Sequence, residues 1–79
     1  MSGAVIATRL VEALEAAAAR EGATALVSVN IDVLAHDSAG KAEATLVRKT
    51  RTLVFMNAEL RTDSGDRIAT ASSVHKVVA

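Results

Sequence analysis

The chain has no cysteine, proline, tryptophan or tyrosine, and a single phenylalanine is its only aromatic residue. Without cysteine there is no disulfide and no cysteine-ligated zinc or iron–sulfur site, and nothing points to an oxidising compartment. Nine Lys and Arg balance nine Asp and Glu, so the chain lacks the basic surface and the stacking platform typical of nucleic-acid binding. An apolar run long enough to cross a membrane and a signal-peptide pattern are also missing. We therefore expect a cytoplasmic protein that binds neither nucleic acid nor membrane.

The apolar content is high for so short a chain, with hydrophobic residues making up 51% of 79. A single domain of this size buries only about 60% of the surface that its unfolded chain exposes. Much of the apolar surface therefore needs cover from outside the chain. We expect residues 1–79 to form one domain that assembles into a homodimer or homotetramer.

The N-terminal part has an apolar stripe at three-to-four spacing, which predicts one amphipathic helix over about residues 2–21. Ser2 is a suitable N-cap, and Gly22 supplies the left-handed backbone that often follows a helix. The apolar stripe consists of Ile6, Leu10, Ala13, Leu14 and Ala17.

After Gly22 the hydrophobic period changes to two, which predicts strands at about residues 25–35, 41–49, 52–61 and 67–78. In the first strand Val27, Val29, Ile31 and Val33 are expected to share one face. Turn formers follow, so the first two strands are predicted to form a hairpin or to be neighbours in space.

The third strand is apolar on both faces, which predicts a central position covered on both sides. We expect its Val54, Met56 and Ala58 to face the helix at Leu10 and Leu14. These patterns together predict an α+β fold, with one long helix packed on an antiparallel sheet of about four strands.

Five segments carry a family resemblance: the helix SGAVIATRLVEALEAAAA, the strand VSVNIDVL, the turn AHDSAG, the hairpin VRKTRTLVFMNAEL and the closing TDSGDRIATASSVHKV. The chain resembles the hotdog-fold acyl-CoA thioesterases of the phenylacetate-pathway type. This resemblance implies a hotdog-like fold and hydrolysis of an acyl-CoA thioester. Coenzyme A would be part of the substrate, with no separate cofactor.

The resemblance also implies the site residues. The backbone amides of Gly3 and Ala4, at the helix start, would polarise the thioester carbonyl. The family's catalytic acid aligns with Val11, and Glu12 follows one position later, so Glu12 is expected as general base or nucleophile. Glu15, one turn further, is the second candidate, and a solvated carboxylate is the alternative for Glu12. The family's usual extra strand before the helix, ending in a His-Gly-Gly-like turn, has no counterpart in this sequence.

Three cations, Arg48, Lys49 and Arg51, cluster at one predicted hairpin end, where they would hold the phosphates of coenzyme A. The alternative is an ordinary charged turn that keeps strand ends soluble. His36 and His75 are too few ligands for a metal site, and no G-x-S-x-G motif supports a serine hydrolase.

Two other interpretations remain open at this point. The chain would be a non-catalytic hotdog module that binds an acyl-CoA-like ligand or acts as an assembly domain, or it would be a truncated product that is stable only as an oligomer. A carboxylate of Glu12 directed into a cleft between subunits would favour the enzyme over both.

Overall fold

A computed structural model of the protein describes residues 1–37 and 40–78. The described elements are a helix, α1 (Gly3–Arg20), and four strands, β1 (Ala23–Val33), β2 (Lys41–Lys49), β3 (Leu53–Arg61) and β4 (Arg67–Val77). The strands form one antiparallel sheet in the order β1-β4-β3-β2, and α1 packs on one face of it. The predicted fold of one helix on a four-stranded antiparallel sheet is confirmed.

The helix ends are built from the residues that the sequence suggested. Ser2 is the N-cap, and its Oγ accepts a hydrogen bond from the Val5 amide at 3.2 Å. At the other end Gly22 has a φ of 81°, a conformation that other residues rarely adopt. Because Gly22 turns the chain so sharply, β1 begins at once at Ala23, two residues before the predicted start.

The core lies between α1 and the sheet. Val54, Met56 and Ala58 of β3 belong to the same buried cluster as Leu10 and Leu14, in agreement with the predicted packing. Alternate residues of β4 are also buried on the face of the sheet that packs against the helix. The fully buried side chains of the helix are Ile6, Leu10, Leu14 and Ala18.

The strand order corrects one prediction, since β1 and β2 neither pair nor lie side by side. Strands β2, β3 and β4 follow one another through short turns. The Thr50 amide donates to the Leu53 carbonyl at 2.8 Å, and the Thr62 amide donates to that of Asp66 at 2.8 Å. The free edge of β4 is therefore left for β1, which places β1 and β2 at opposite edges of the sheet.

Two expectations about strand faces are also wrong within the single chain. Strand β3 is central, but only its helix-facing side is covered, because Leu53 and Phe55 on the other side are half-exposed and Asn57 is exposed. In β1, the register shifts between Leu26 and Ser28, and this irregularity turns Val27 outward, to 59% exposure. Apolar surface is thus left open at the β1 edge.

Candidate functional site

The start of α1 presents two backbone amides. The Ser2 hydroxyl accepts a hydrogen bond from the Val5 amide, and the Ser2 carbonyl accepts one from the Ile6 amide at 3.0 Å. Among the hydrogen bonds of the described residues, none uses the amide of Gly3 or Ala4. Both residues are exposed. These N–H groups point out of the positive end of a helix dipole, so they are suited to a developing oxyanion.

Glu12 lies on the solvent side of α1, roughly opposite the buried Leu10 and Leu14. It takes part in none of the ion pairs among the described residues. It lies eight positions after Ala4, which corresponds to about 12 Å along the helix axis. A glutamate side chain is too short to bridge that gap. The Glu12 carboxylate and the helix-start amides of one chain therefore cannot meet at one carbonyl.

Glu15 and Val11 occupy a different side of α1. Each lies within about 20° of the direction of Ala4 when the helix is viewed down its axis. Val11 is half-buried and Glu15 is exposed. The position that aligns with the family's acid is thus apolar in this chain. Glu15 is the carboxylate that shares the side of the helix-start residue Ala4.

A buried polar pair lies below this flank of the helix. Ser73 Oγ and His75 Nε2 are 2.6 Å apart, and both residues are buried. Desolvation by burial lowers the pKa of His75, and the negative charge of Glu15 opposes this effect. From the sequence, His75 stood out only as a potential metal ligand, and Ser73 did not stand out. The alternation of Ala69, Ala71, Ser73 and His75 along β4 was the signal that places this pair on the buried face.

The three cations do not share one surface. Arg48 pairs with Phe55 on the helix-free face of the sheet, whereas Lys49 pairs with Val54 on the helix side. The Nζ atom of Lys49 lies 3.7 Å from a carboxylate oxygen of Glu21. Arg51 is exposed in the turn that follows. The expected three-cation cluster is therefore divided between the two faces of the sheet.

This hairpin also lies far from the helix start. The Lys49–Glu21 ion pair places it beside the C-terminal end of α1. The helix has 18 residues, so Gly3 is about 27 Å away along the axis.

Within the described residues, no group of three or more His, Asp or Glu side chains is arranged to hold a metal ion. The helix of the described residues is not long and apolar enough to cross a membrane.

Comparison with solved structures shows a shared fold over nearly the whole chain. The BH2602 protein from Bacillus halodurans, solved with CoA, matches with a TM-score of 0.86 and 21% identity, over 100% of this chain and 56% of that one. A protein from the thioesterase superfamily matches with a TM-score of 0.87 and 16% identity, over 99% and 62%. Zebra fish thioesterase superfamily member 2 matches with a TM-score of 0.85 and 22% identity, over 99% and 62%.

These similarities show the class of fold, which is the hotdog fold that the two thioesterase-superfamily structures have. The chain spans about three-fifths of the length of the structures that it matches. No family model matches the sequence, and no curated protein matches it either. The identities lie between 16% and 22%, so the likeness is one of fold.

Proposed function

We propose that this chain is an acyl-CoA thioesterase-like protein of the phenylacetate-pathway type that acts in the cytoplasm as a homodimer or homotetramer. The observation that supports it most strongly is the hotdog fold shared with two thioesterase-superfamily structures, together with the likeness to the BH2602 protein, which was solved with CoA. The open amides at the start of α1 and the exposed carboxylate of Glu12 supply the groups that thioester hydrolysis needs.

In the proposed reaction, the thioester carbonyl oxygen lies against the amides of Gly3 and Ala4. Glu12 takes a proton from water, and the oxygen of that water forms a bond to the carbonyl carbon. The negative charge that develops on the carbonyl oxygen is stabilised by the two N–H groups and the helix dipole. The tetrahedral intermediate then breaks its carbon–sulfur bond and releases the thiolate of coenzyme A. The thiolate takes up the proton that Glu12 received from water, and a free carboxylic acid remains.

The distance between these groups is the reason why the proposed site is made by two protomers. The carboxylate and the amides are about 12 Å apart along one helix, whereas both must lie within about 3 Å of the reacting atoms. We infer that the helix start of one protomer and Glu12 of its partner form each site. The β1 edge can bring two chains together, because it has unpaired backbone groups and exposed Leu26, Val27, Val33 and Leu34.

Arg48 and Arg51 have a separate role in this proposal. The phosphates and the thioester of an acyl-CoA are at opposite ends of an extended arm, so they need binding groups that lie far apart. Cations beside the C-terminal end of α1 can bind phosphate while the thioester lies at a helix start. Lys49 forms an ion pair with Glu21, so its charge attracts a phosphate less strongly.

The test is thiol release from a panel of short, long and aromatic acyl-CoA substrates. Glu12→Gln keeps the size and hydrogen bonding of the side chain but removes its basicity, so kcat/KM should fall by about 10²-fold or more. Glu15→Gln is the matched control and should have far less effect. Neutralising Arg48 and Arg51 together should raise KM and weaken its salt dependence. An unchanged rate in Glu12→Gln would overturn the proposed role of Glu12.

A mixing experiment tests the shared site directly. Gly3→Pro removes one of the two amide donors, and proline is well tolerated at the first helical position. Each variant alone should be impaired. When Glu12→Gln and Gly3→Pro chains are unfolded together and refolded, about a quarter of the sites regain both intact partners. Activity that stays at the level of the separate variants would contradict a site built from two protomers.

The apolar Val11 favours one alternative, a hotdog module that binds an acyl-CoA-like ligand without hydrolysing it. In that case no substrate of the panel would release thiol. Coenzyme A would still bind in a salt-sensitive manner, and neutralising Arg48 and Arg51 would weaken that binding.

A further inference from the structure

The buried pair of Ser73 and His75 lies beneath α1 and has no part in the proposed reaction. Only 4% of Ser73 and 1% of His75 is exposed, and Ser73 Oγ lies 2.6 Å from His75 Nε2. The partners of His75 across the sheet are Leu26 of β1 and Val54 of β3, which carry no charge. An ionisable ring in such surroundings is stable mainly in its neutral form.

The charged groups around the ring come from α1, β2 and β4. Glu15 of α1 acts on His75 through its negative charge and favours the protonated ring. Lys49 of β2 lies on the same rung of the sheet beyond Val54, and it is paired with Glu21. Lys76 follows His75 along β4 and is exposed on the opposite face. Burial outweighs the influence of Glu15, so the pKa of His75 is lowered.

The direction of the hydrogen bond depends on the protonation of the ring. In the neutral ring, one nitrogen donates and the other accepts, so Nε2 can accept a hydrogen bond from the Ser73 hydroxyl. In the charged ring both nitrogens donate, so Nε2 donates to Ser73 Oγ and the buried hydroxyl hydrogen needs another acceptor. We propose that Ser73 and His75 form a proton-sensitive latch within β4, which stabilises the buried side of the sheet beneath α1 while the ring is neutral and weakens when the ring gains a proton. This inference is independent of the proposed catalytic activity.

The direction of the pH effect follows from proton linkage. In the unfolded chain His75 has the ordinary histidine pKa of about 6.5. Because the folded pKa is lower, the unfolded chain binds the proton first as the pH falls. The stability that comes from the neutral ring is complete above about pH 7 and is lost as the pH falls from about 6.5 towards the folded pKa. Within that window the unfolding constant rises by up to about tenfold per pH unit.

Urea unfolding between about pH 7.5 and about pH 5.5, at one protein concentration, tests the latch. His75→Gln keeps a hydrogen-bonding side chain that does not titrate, so its unfolding constant should rise by several-fold less than that of the wild type. His36→Gln is the matched control, because His36 is exposed and its hydrogen bond to the N-terminal amine uses the backbone carbonyl. It should follow the wild-type curve. An identical pH dependence in His75→Gln and the wild type would overturn the proposal.

Two further measurements do not depend on the folding of that variant. Glu15→Gln removes the charge that favours the protonated ring, so its loss of stability in acid should be larger than that of the wild type. The ring signals of His75 in the NMR spectrum of the wild type should titrate below about pH 6.5. A titration at or above that value would exclude the latch, since protonation would then not weaken the folded state.

Discussion

Truncation of Leu14 tests the packing on which every other inference depends. Leu14 lies within α1, is fully buried, and belongs to the cluster that contains Leu10, Val54 and Met56. Leu14→Ala keeps a residue of high helix propensity, so the change isolates lost packing. Burial and cavity terms for this truncation amount to about 2–5 kcal/mol. A chain of 79 residues has a total stability of about 4–12 kcal/mol, so the loss is a large share of the whole.

Thermal and urea unfolding at one protein concentration measure this loss. In a domain of this size each kcal/mol lowers Tm by about 4–8 °C, so the variant should melt at least about 8 °C below the wild type. Val5→Ala is the control, because it also shortens an apolar side chain of α1, but at a position that is 47% exposed. It should change the midpoint little. A Leu14→Ala midpoint equal to the wild type, together with a sharp loss in Glu12→Ala, would show that the helix faces are reversed.

Two more predictions concern a close approach and the state of assembly. A Cβ atom at Gly40 would lie 2.8 Å from the Asp63 backbone nitrogen, so Gly40→Ala should cost about 1–3 kcal/mol in urea unfolding. Gly3→Ala is the control and should not have this cost, because a Cβ atom there has nothing within 4 Å. Equal stabilities of the two variants would contradict the close contact. Light scattering should give a mass that is a multiple of 8.1 kDa. Val27→Glu on the β1 edge should lower that mass more than Val47→Glu on the β2 edge. A folded wild-type monomer at micromolar concentration would refute both the oligomer and the shared site.

The helix and the number of strands could be predicted because each depends on local chemistry. The spacing of Ile6, Leu10 and Leu14 defines a buried stripe whatever the sheet does, and Ser2 and Gly22 act within one turn of the chain. The strand order could not be obtained in the same way. Turn formers after Val33 fit a hairpin as well as they fit a longer connection, and only the pairing of β4 with β3 decides where β1 goes.

The faces of the strands were less predictable than their bounds. A period of two in β1 suggested four valine and isoleucine side chains on one face, but a register shift at Val27 breaks the alternation without any change in composition. In β3, Leu53 and Phe55 suggested that both faces of the strand are covered. Their half-exposure shows that a rich apolar content indicates the need for cover and does not indicate which molecule supplies it.

For the candidate site, the sequence suggests a set of residue types but not their geometry. Gly3, Ala4 and Glu12 lie on one helix, and a helix fixes both their separation and their directions. That rigidity is why a single protomer cannot combine the amides with the carboxylate, however the side chains turn. It also separates the two candidate acids, because Glu15 lies on the side of Ala4 and acts on His75 through its charge, while Glu12 points away from the sheet. In the proposed oligomer, the way in which the partner helix crosses α1 decides which of the two meets a helix start. Under the proposed function, assembly and catalysis are then one structural question.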